Sequence, residues 1–139
     1  AFRCFRPTQQ APDKFLAFYQ QQGQDLCMTF LHPVIDEEIY LAQKVDGFTF
    51  GPAFRCFRPK KALRYDAYCD DFGPMNMASI VDFIRLLDAE RETYPSTKIV
   101  FCVDEGRRAL TNAVFLLGAY MILKLDTPPS SVAKHFSWL

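Results

Sequence analysis

Residues 98–123 decide the fold, and they read KIVFCV, then DEGRR, then ALTNAVFLLGAYMIL. The first six residues have the β-branched and aromatic content of a strand that is buried in a parallel sheet. The last fifteen, residues 109–123, carry no charge and are shorter than the ~20 residues of a membrane span, so they predict a buried helix. A strand, a polar loop and a helix in this order predict the βα unit of an α/β sheet.

Other strands of this sheet are predicted on the N-terminal side. Four short segments have the apolar and aromatic content of strands: residues 26–31, 39–42, 48–57 and 65–69. The first is expected to end at His32-Pro33. The third predicts an edge strand or an irregular ribbon, because Pro52 and Pro59 interrupt it. The polar residues 20–24 predict a loop.

Two further helices are marked by a capping residue followed by proline. Gly73 at the cap and Pro74 at the first helical position predict the start of one helix, which is expected to end near Tyr94. The predicted buried face of this helix consists of Met77, Ile80, Val81, Ile84 and Leu87. Thr127-Pro128 opens a last helix in the same way. Strands that alternate with helices predict an α/β fold with a central sheet flanked by helices.

The composition predicts one soluble globular domain. The chain has 139 residues, half of them hydrophobic, and its 16 Lys and Arg residues balance 16 Asp and Glu residues. Zero net charge argues against a nucleic-acid partner, and the hydrophobic content is too high for a disordered chain. Because no segment has the features of a secretory signal or a membrane span, we expect an intracellular location, in the nucleus, the cytoplasm or both.

The cysteines do not form a metal-binding pattern. There are five, with no Cys-x-x-Cys pair, and only two histidines are available as nitrogen ligands. The spacing of a zinc site is therefore absent, and the sequence predicts no metal and no other cofactor. In an intracellular protein all five cysteines are expected to be free thiols.

One heptapeptide occurs twice in the chain. Residues 1–7 and residues 53–59 both read AFRCFRP, whereas the residues that follow the two copies differ. A repeat fold needs a recurring unit of about 20 residues or more, so this duplication does not predict one. We interpret it as a duplicated exon edge or an assembly artefact, with a true short duplication as the alternative.

Cys102 and Arg108 form a Cys-x5-Arg motif between the predicted strand and the predicted helix, where protein tyrosine phosphatases hold their phosphate loop. That spacing wraps backbone N–H groups around a phosphate, places a thiolate beneath the phosphorus atom and brings a guanidinium to the phosphate oxygens. Asp71 is the candidate general acid, because it lies earlier in the chain in Asp-Phe-Gly-Pro, which resembles the acid loop of these enzymes.

The residues inside this motif argue against an active site. Asp104 and Glu105 lie between the cysteine and the arginine, where each carboxylate would cost about 3 kcal/mol per phosphate charge at ~5 Å. The residue before the cysteine is Phe101 instead of histidine, and the residue after the arginine is Ala109 instead of serine or threonine. Three interpretations stay open: an active phosphatase site, a degenerate copy of one, and a coincidence.

Two blocks of sequence carry a resemblance to a known family. Residues 65–76, YDAYCDDFGPMN, resemble a Tyr-x-x-Phe-x-x-Asp-Phe-Gly-Pro-Leu-Asn signature. That signature belongs to the N-terminal half of the mitotic-exit dual-specificity phosphatases, the cell-division-cycle-fourteen family. A second block lies in residues 98–120, where Ile-Val, a basic pair and NAVFLLGAY are similar to the family's Ile-Val, basic pair and Asn-Ala-Ala-Phe-Leu-Ile-Gly-Ala-Tyr. The blocks keep the family's order and separation, and the similarity covers residues 26–139.

The resemblance implies a phosphatase-like sheet and a tandem architecture, in which a C-terminal catalytic domain in cis performs the chemistry. Residues 26–139 would be the non-catalytic N-terminal domain, truncated at its C-terminus, and residues 1–25 have no assignment. The family's N-terminal domain helps to form an acidic groove for phosphoprotein substrates with phosphoserine-proline followed by basic residues. Nine acidic residues against three basic ones between positions 66 and 105 are compatible with such a groove. The candidate substrate-binding residues are Asp104, Glu105, Arg107 and Arg108.

Two alternatives to this substrate-recognition function stay open. A stand-alone cysteine-dependent phosphatase would use Cys102 as the nucleophile, Arg108 as the phosphate clamp and Asp71 as the acid. A phosphoprotein-binding pseudophosphatase would hold phosphate with Arg107 and Arg108 and would not turn it over.

Overall fold

The computed structural model describes residues 16–22, 25–43, 52–59 and 75–139. The strands in these ranges are β1 (Leu16–Gln22), β2 (Asp25–Ile35), β3 (Ile39–Gln43), β4 (Phe54–Phe57) and β5 (Lys98–Val103). The helices are α1 (Met77–Thr93), α2 (Arg107–Lys124) and α3 (Pro129–Val132), and a 3₁₀ helix, Ala133–Phe136, follows directly. This arrangement confirms the predicted α/β class.

The strands of the described residues form one mixed five-stranded sheet in the order β1-β2-β3-β5-β4. The pairs β1–β2 and β2–β3 are antiparallel, whereas β5 runs parallel to both β3 and β4. Strand β5 is therefore flanked on both sides, and its four middle residues are buried, as its apolar sequence predicts. Strand β4 lies at the edge of the sheet, which confirms the edge-strand prediction for its residues.

The first hairpin begins earlier than the sequence predicted. Residues 20–22 were expected in a loop, and this expectation is wrong, because they belong to β1 and pair with residues 25–27 of β2. Glutamine has a low strand preference, but cross-strand pairing decides the local structure. Residues 23–24 and the predicted strand 65–69 lie outside the described residues.

Strand β2 continues past the position where it was expected to end. The His32-Pro33 step does not terminate it, because the pairing with β3 shifts register between Pro33 and Ile35. Such a bulge accommodates a residue that has no N–H to donate to the sheet. The strand then turns through Asp36 and Glu37, whose φ angles are +43° and +55°. Two successive residues with positive φ make a hairpin turn that matches the twist of the strands.

Helix α1 begins three residues after the predicted position. The predicted start at Gly73-Pro74 is wrong: the N-cap is Asn76, whose Oδ1 accepts a hydrogen bond from the Ser79 backbone N–H at 2.9 Å. A short side-chain acceptor at this position satisfies an N–H group that the helix leaves unpaired, which glycine does not do. The end of the helix is confirmed, with Tyr94 as its C-cap.

The face that α1 buries is narrower than predicted. Ile80, Phe83 and Leu87 are buried, so the prediction is correct for Ile80 and Leu87 but missed Phe83. Met77 is 63% exposed and Val81 is also exposed, so the prediction is wrong for both, whereas Ile84 is partly buried against the core. Helix α2 starts within the predicted polar loop, at Arg107, and α3 has Pro128 as its N-cap, one position beyond the predicted Thr127.

The two faces of the sheet carry separate apolar clusters. Ile99 and Phe101 of β5 pack with α1 and α2 in the larger cluster, whereas Val100 and Cys102 pack with β2 and β3 residues in the smaller one. This alternation follows from the two-residue period of a strand. In the larger cluster the ring of Phe83 lies 5.2 Å from the ring of Phe101, centroid to centroid. The side chain of Cys102 therefore lies on the face away from α2.

Candidate functional site

The candidate site is the loop that joins β5 to α2. The side-chain amide of Gln43, the last residue of β3, donates hydrogen bonds to the backbone oxygens of Asp104 and Gly106 at 3.1 and 3.0 Å. Gly106 has a φ of +124°, a conformation that other residues rarely adopt. The loop is thus held to the carboxyl end of the neighbouring strand, and glycine allows the chain to turn into α2.

The N-terminus of α2 has the properties of an anion-binding end. Its N-cap, Gly106, provides no side-chain acceptor for the N–H groups of the first turn, and Leu110 N–H bonds the Gly106 oxygen at 3.1 Å. The positive end of the helix dipole favours a negative charge here. Arg107 and Arg108 are the first two residues of the helix, with Arg107 exposed and Arg108 half-buried. This end of the helix therefore combines two cationic residues with the positive end of the helix dipole.

Acidic side chains lie beside these arginines. Asp104 and Glu105 are both exposed in the loop. The nearest Asp104 carboxylate oxygen lies 3.8 Å from a guanidinium nitrogen of Arg58, which follows β4. The site therefore presents both signs of charge within one loop, which suits a ligand that carries a phosphate next to a basic group.

Cys102 is not prepared as a nucleophile in this structure. Its side chain is 2% exposed, and its Sγ donates a hydrogen bond to the Val100 carbonyl at 3.3 Å. Its sulfur also lies 2.6 Å from the sulfur of Cys56. The hydrogen bond with Cys56, together with burial, raises the pKa of the Cys102 thiol far above its ordinary value.

Cys56 was not identified as a functional residue from the sequence. It is exposed, and the hydrogen bond with Cys102 lowers the pKa of its thiol from 9.0 to about 7. The neighbouring charges of Arg58 and Arg55 favour the thiolate further, while partial burial opposes it. A sequence signal existed, since arginines lie on both sides of this cysteine, but its contact with Cys102 depends on the register of β4 against β5.

The structure thus brings four of the candidate residues together and separates one. Asp104, Glu105, Arg107 and Arg108 share one loop and the first helical turn. Cys102 precedes them on the strand but faces the opposite side of the sheet from α2. The candidate acid Asp71 lies outside the described residues.

Comparison with known proteins places the chain in a family. Residues 33–138 match the family described as dual specificity protein phosphatase, N-terminal half. The chain belongs to this family. The match confirms the resemblance drawn from the sequence, and it includes the sheet from the bulge of β2 onward, α1, α2 and the candidate loop.

Named relatives of this N-terminal-half domain are much longer proteins. It is 35% identical to human dual specificity protein phosphatase CDC14A over 82 residues, which is 56% of this chain and 14% of that protein. It is 31% identical to human dual specificity protein phosphatase CDC14C over 74 residues, 52% of this chain and 17% of that protein. Mouse CDC14A is 32% identical over 80 residues, 56% of this chain and 13% of that protein. The chain therefore corresponds to a small N-terminal part of these phosphatases.

The described residues show neither a metal-binding cluster nor a helix that could span a membrane. Within the described ranges, no three His, Cys, Asp or Glu side chains are grouped so that they could hold a metal ion. In the same part of the chain, none of the helices has the length and the apolar content needed to cross a membrane.

Proposed function

We propose that this N-terminal-half domain, residues 26–139, selects phosphoprotein substrates for a catalytic domain in the same polypeptide and does not hydrolyse phosphate itself. The observation that carries the proposal is the state of Cys102. A cysteine-dependent phosphatase needs a thiolate beneath the bound phosphorus atom. Here the only cysteine of the Cys-x5-Arg motif is buried on the far face of the sheet, and its pKa is raised.

The charges of the loop support the same conclusion. Asp104 and Glu105 occupy positions between Cys102 and Arg108, where a phosphate dianion would have to sit in an active enzyme. A carboxylate at ~5 Å repels each phosphate charge by about 3 kcal/mol at an effective dielectric constant near 20. This repulsion is acceptable where a phosphate binds at the surface of the loop, but it is costly inside a closed phosphate cradle.

The same loop supports a role in recognition. Arg107 and Arg108 would bind the phosphate at the N-terminus of α2, and Asp104 and Glu105 would attract a basic residue that follows it in the substrate. Three of these four side chains are exposed, and the loop lies at the carboxyl end of the parallel strands, where α/β proteins bind their ligands. Phosphoserine-proline peptides with downstream basic residues are the substrate class that we propose, in the nucleus or the cytoplasm.

An activity assay separates recognition from catalysis. The purified chain is incubated with p-nitrophenyl phosphate, with and without vanadate, beside the Cys102→Ser variant. We expect no vanadate-sensitive hydrolysis from either protein, because Cys102 is protonated and buried. Vanadate-sensitive turnover that disappears in Cys102→Ser would instead establish the stand-alone enzyme, with Cys102 as its nucleophile.

A binding assay tests the recognition site directly. Fluorescence anisotropy measures the binding of a labelled phosphoserine-proline peptide with two downstream lysines, and the unphosphorylated peptide is the control. We expect Arg107→Ala combined with Arg108→Ala to weaken binding about tenfold or more, the equivalent of one lost charge-assisted hydrogen bond. Arg85→Ala is the matched variant, because Arg85 is an exposed arginine on α1. Equal loss in both variants would indicate unspecific attraction and contradict the proposed site.

A second peptide tests whether Asp104 and Glu105 contact the basic residues of the substrate. When the two lysines of the peptide are replaced by alanine, affinity for the unaltered protein is expected to fall, whereas affinity for Asp104→Asn, Glu105→Gln is expected to change little. If the lysines contribute equally to binding in both proteins, Asp104 and Glu105 do not contact them.

A further inference from the structure

Cys56 and Cys102 lie on neighbouring parallel strands in a register that brings them together. Cys56 pairs with Val100, and Cys102 is two residues further along β5, so the two cysteines lie on the same face of the sheet. Their sulfurs are 2.6 Å apart, about 0.5 Å beyond the length of a disulfide bond. The two sulfurs need to approach by only this distance to be joined.

The two cysteines differ in their access to solvent. Cys56 is exposed on the edge strand, whereas Cys102 is 2% exposed on a central strand. Arg55 and Arg58 lie close to Cys56, and Arg55 is itself anchored by Glu90 at 2.5 Å and by the Tyr94 ring. A small oxidant can therefore reach Cys56 first, and the charges of Arg58 and Arg55 favour its thiolate.

We propose that Cys56 and Cys102 form an oxidation site, at which a hydroperoxide converts the two thiols to a disulfide. The thiolate sulfur of Cys56 attacks one oxygen of hydrogen peroxide, so that an S–O bond forms and the O–O bond breaks. The hydroxide that leaves takes up a proton and becomes water. Cys56 is then a sulfenic acid, directly beside the second thiol.

In the second step Cys102 acts as the resolving cysteine. Once Cys56 is a neutral sulfenic acid, the thiolate that raised the pKa of Cys102 is gone. The Cys102 sulfur can then attack the sulfur of the sulfenic acid, so that the S–S bond forms and the S–O bond breaks. The departing hydroxide takes the proton of Cys102 and leaves as the second water. In total the two thiols lose two protons and two electrons, and one hydrogen peroxide is reduced to two waters. The buried Cys102 needs no access to the oxidant, because Cys56 delivers the oxidised sulfur to it.

The repeated heptapeptide provides a control within the same chain. Cys4 and Cys56 have identical neighbours in AFRCFRP, so flanking arginines alone would give both the same reactivity. Trypsin separates them, because it releases CFRPTQQAPDK for Cys4, CFRPK for Cys56 and IVFCVDEGR for Cys102. The reduced chain is treated with limiting hydrogen peroxide, the remaining thiols are blocked with N-ethylmaleimide, and the digest is analysed by mass spectrometry.

We expect the disulfide between the Cys56 and Cys102 peptides to be the main product, in preference to any disulfide of Cys4. In Cys102→Ala, Cys56 is expected to accumulate as a sulfenic acid that dimedone traps, and in Cys56→Ser the oxidation of Cys102 should fall at least about tenfold. The disulfides identified in the unaltered chain test the proposal even if a variant fails to fold. The proposal would be overturned if Cys102 stays reduced while Cys4 and Cys56 are oxidised to the same extent. It would also be overturned if the oxidation of Cys102 is unchanged in Cys56→Ser.

The pH dependence of alkylation gives a second measurement. Because the pKa of Cys56 is lowered to about 7, its reaction with iodoacetamide should rise to half of its maximum near that pH. At pH 7 it should react about fivefold to tenfold faster than the synthetic peptide AFRCFRP, after allowance for the lower nucleophilicity of an acidic thiol. Equal rates in protein and peptide would show that the contact with Cys102 does not activate Cys56, and would count against it as the attacking cysteine.

Discussion

Tyr120 connects a charged network that joins the two long helices to the turn between β2 and β3. Its hydroxyl accepts a hydrogen bond from Arg91 at 2.9 Å and donates one to Asp88 at 2.8 Å. Arg91 also bonds Glu38 at 2.8 Å, and Asp88 bonds Lys124 at 2.6 Å. The Tyr120→Phe substitution keeps the fully buried ring but removes both hydrogen bonds at the centre of the network.

The expected cost follows from the two lost hydrogen bonds. A hydrogen bond to a charged partner contributes about 1.5–3 kcal/mol, so two give at most about 3–6 kcal/mol. The side chains of Arg91 and Asp88 are 34% and 22% exposed, and each keeps its ion-pair partner, so water and the remaining partner replace part of the loss. We therefore expect Tyr120→Phe to lower the free energy of unfolding by about 2 kcal/mol.

Urea unfolding followed by far-ultraviolet circular dichroism measures this change. For an m-value of about 2 kcal/mol per molar, the midpoint should fall by roughly 1 M. Tyr94→Phe is the matched control, because the Tyr94 hydroxyl makes no hydrogen bond within the described part of the chain, and we expect its effect to stay below about 0.5 kcal/mol. If Tyr120→Phe changes stability no more than this control does, the network does not contribute to stability and the reasoning is refuted.

Three smaller changes have predictable effects on stability, each measured by the same urea unfolding. Burial lowers the pKa of His32 below 6.5, so as the pH falls the unfolded chain binds a proton before the folded chain does. The free energy of unfolding should therefore decrease below pH 6.5, by at most about 1.4 kcal/mol per pH unit. His32→Phe should remove this pH dependence, and an unchanged pH dependence in the variant would exclude His32 as its cause. Glu37 has a φ of +55°, so Glu37→Gly should stabilise the turn by about 0.5–1 kcal/mol, and a loss of stability would contradict the turn geometry. Gly118 lies inside α2, where an added Cβ would meet Val132 Cγ1 at an ordinary 3.5 Å, so Gly118→Ala should stabilise by up to about 1 kcal/mol; destabilisation would show that α2 and α3 pack more closely.

Local sequence was sufficient to predict those elements whose pattern lies in consecutive residues. The apolar run of β5 predicted a buried parallel strand, because only side chains that are covered on both faces can all be apolar. The end of α1 at Tyr94 was predicted because a proline follows it, and proline interrupts a helix. The edge position of β4 was predicted because prolines interrupt its segment, and proline cannot donate a hydrogen bond within a sheet. The start of α1 was misplaced because Gly73-Pro74 and Asn76 are competing capping signals, and sequence alone does not rank them.

The sequence by itself determined the α/β class, the family and the loop of charged residues from Asp104 to Arg108, because each of these is encoded in short consecutive patterns. Only the tertiary structure decided the state of Cys102. The motif Cys-x5-Arg is the same whether the thiol faces α2 or the other side of the sheet. Cys56 and Cys102 are 46 positions apart in the sequence. The pairing of β4 with β5 places their sulfurs in contact, and this contact shifts the pKa of both thiols.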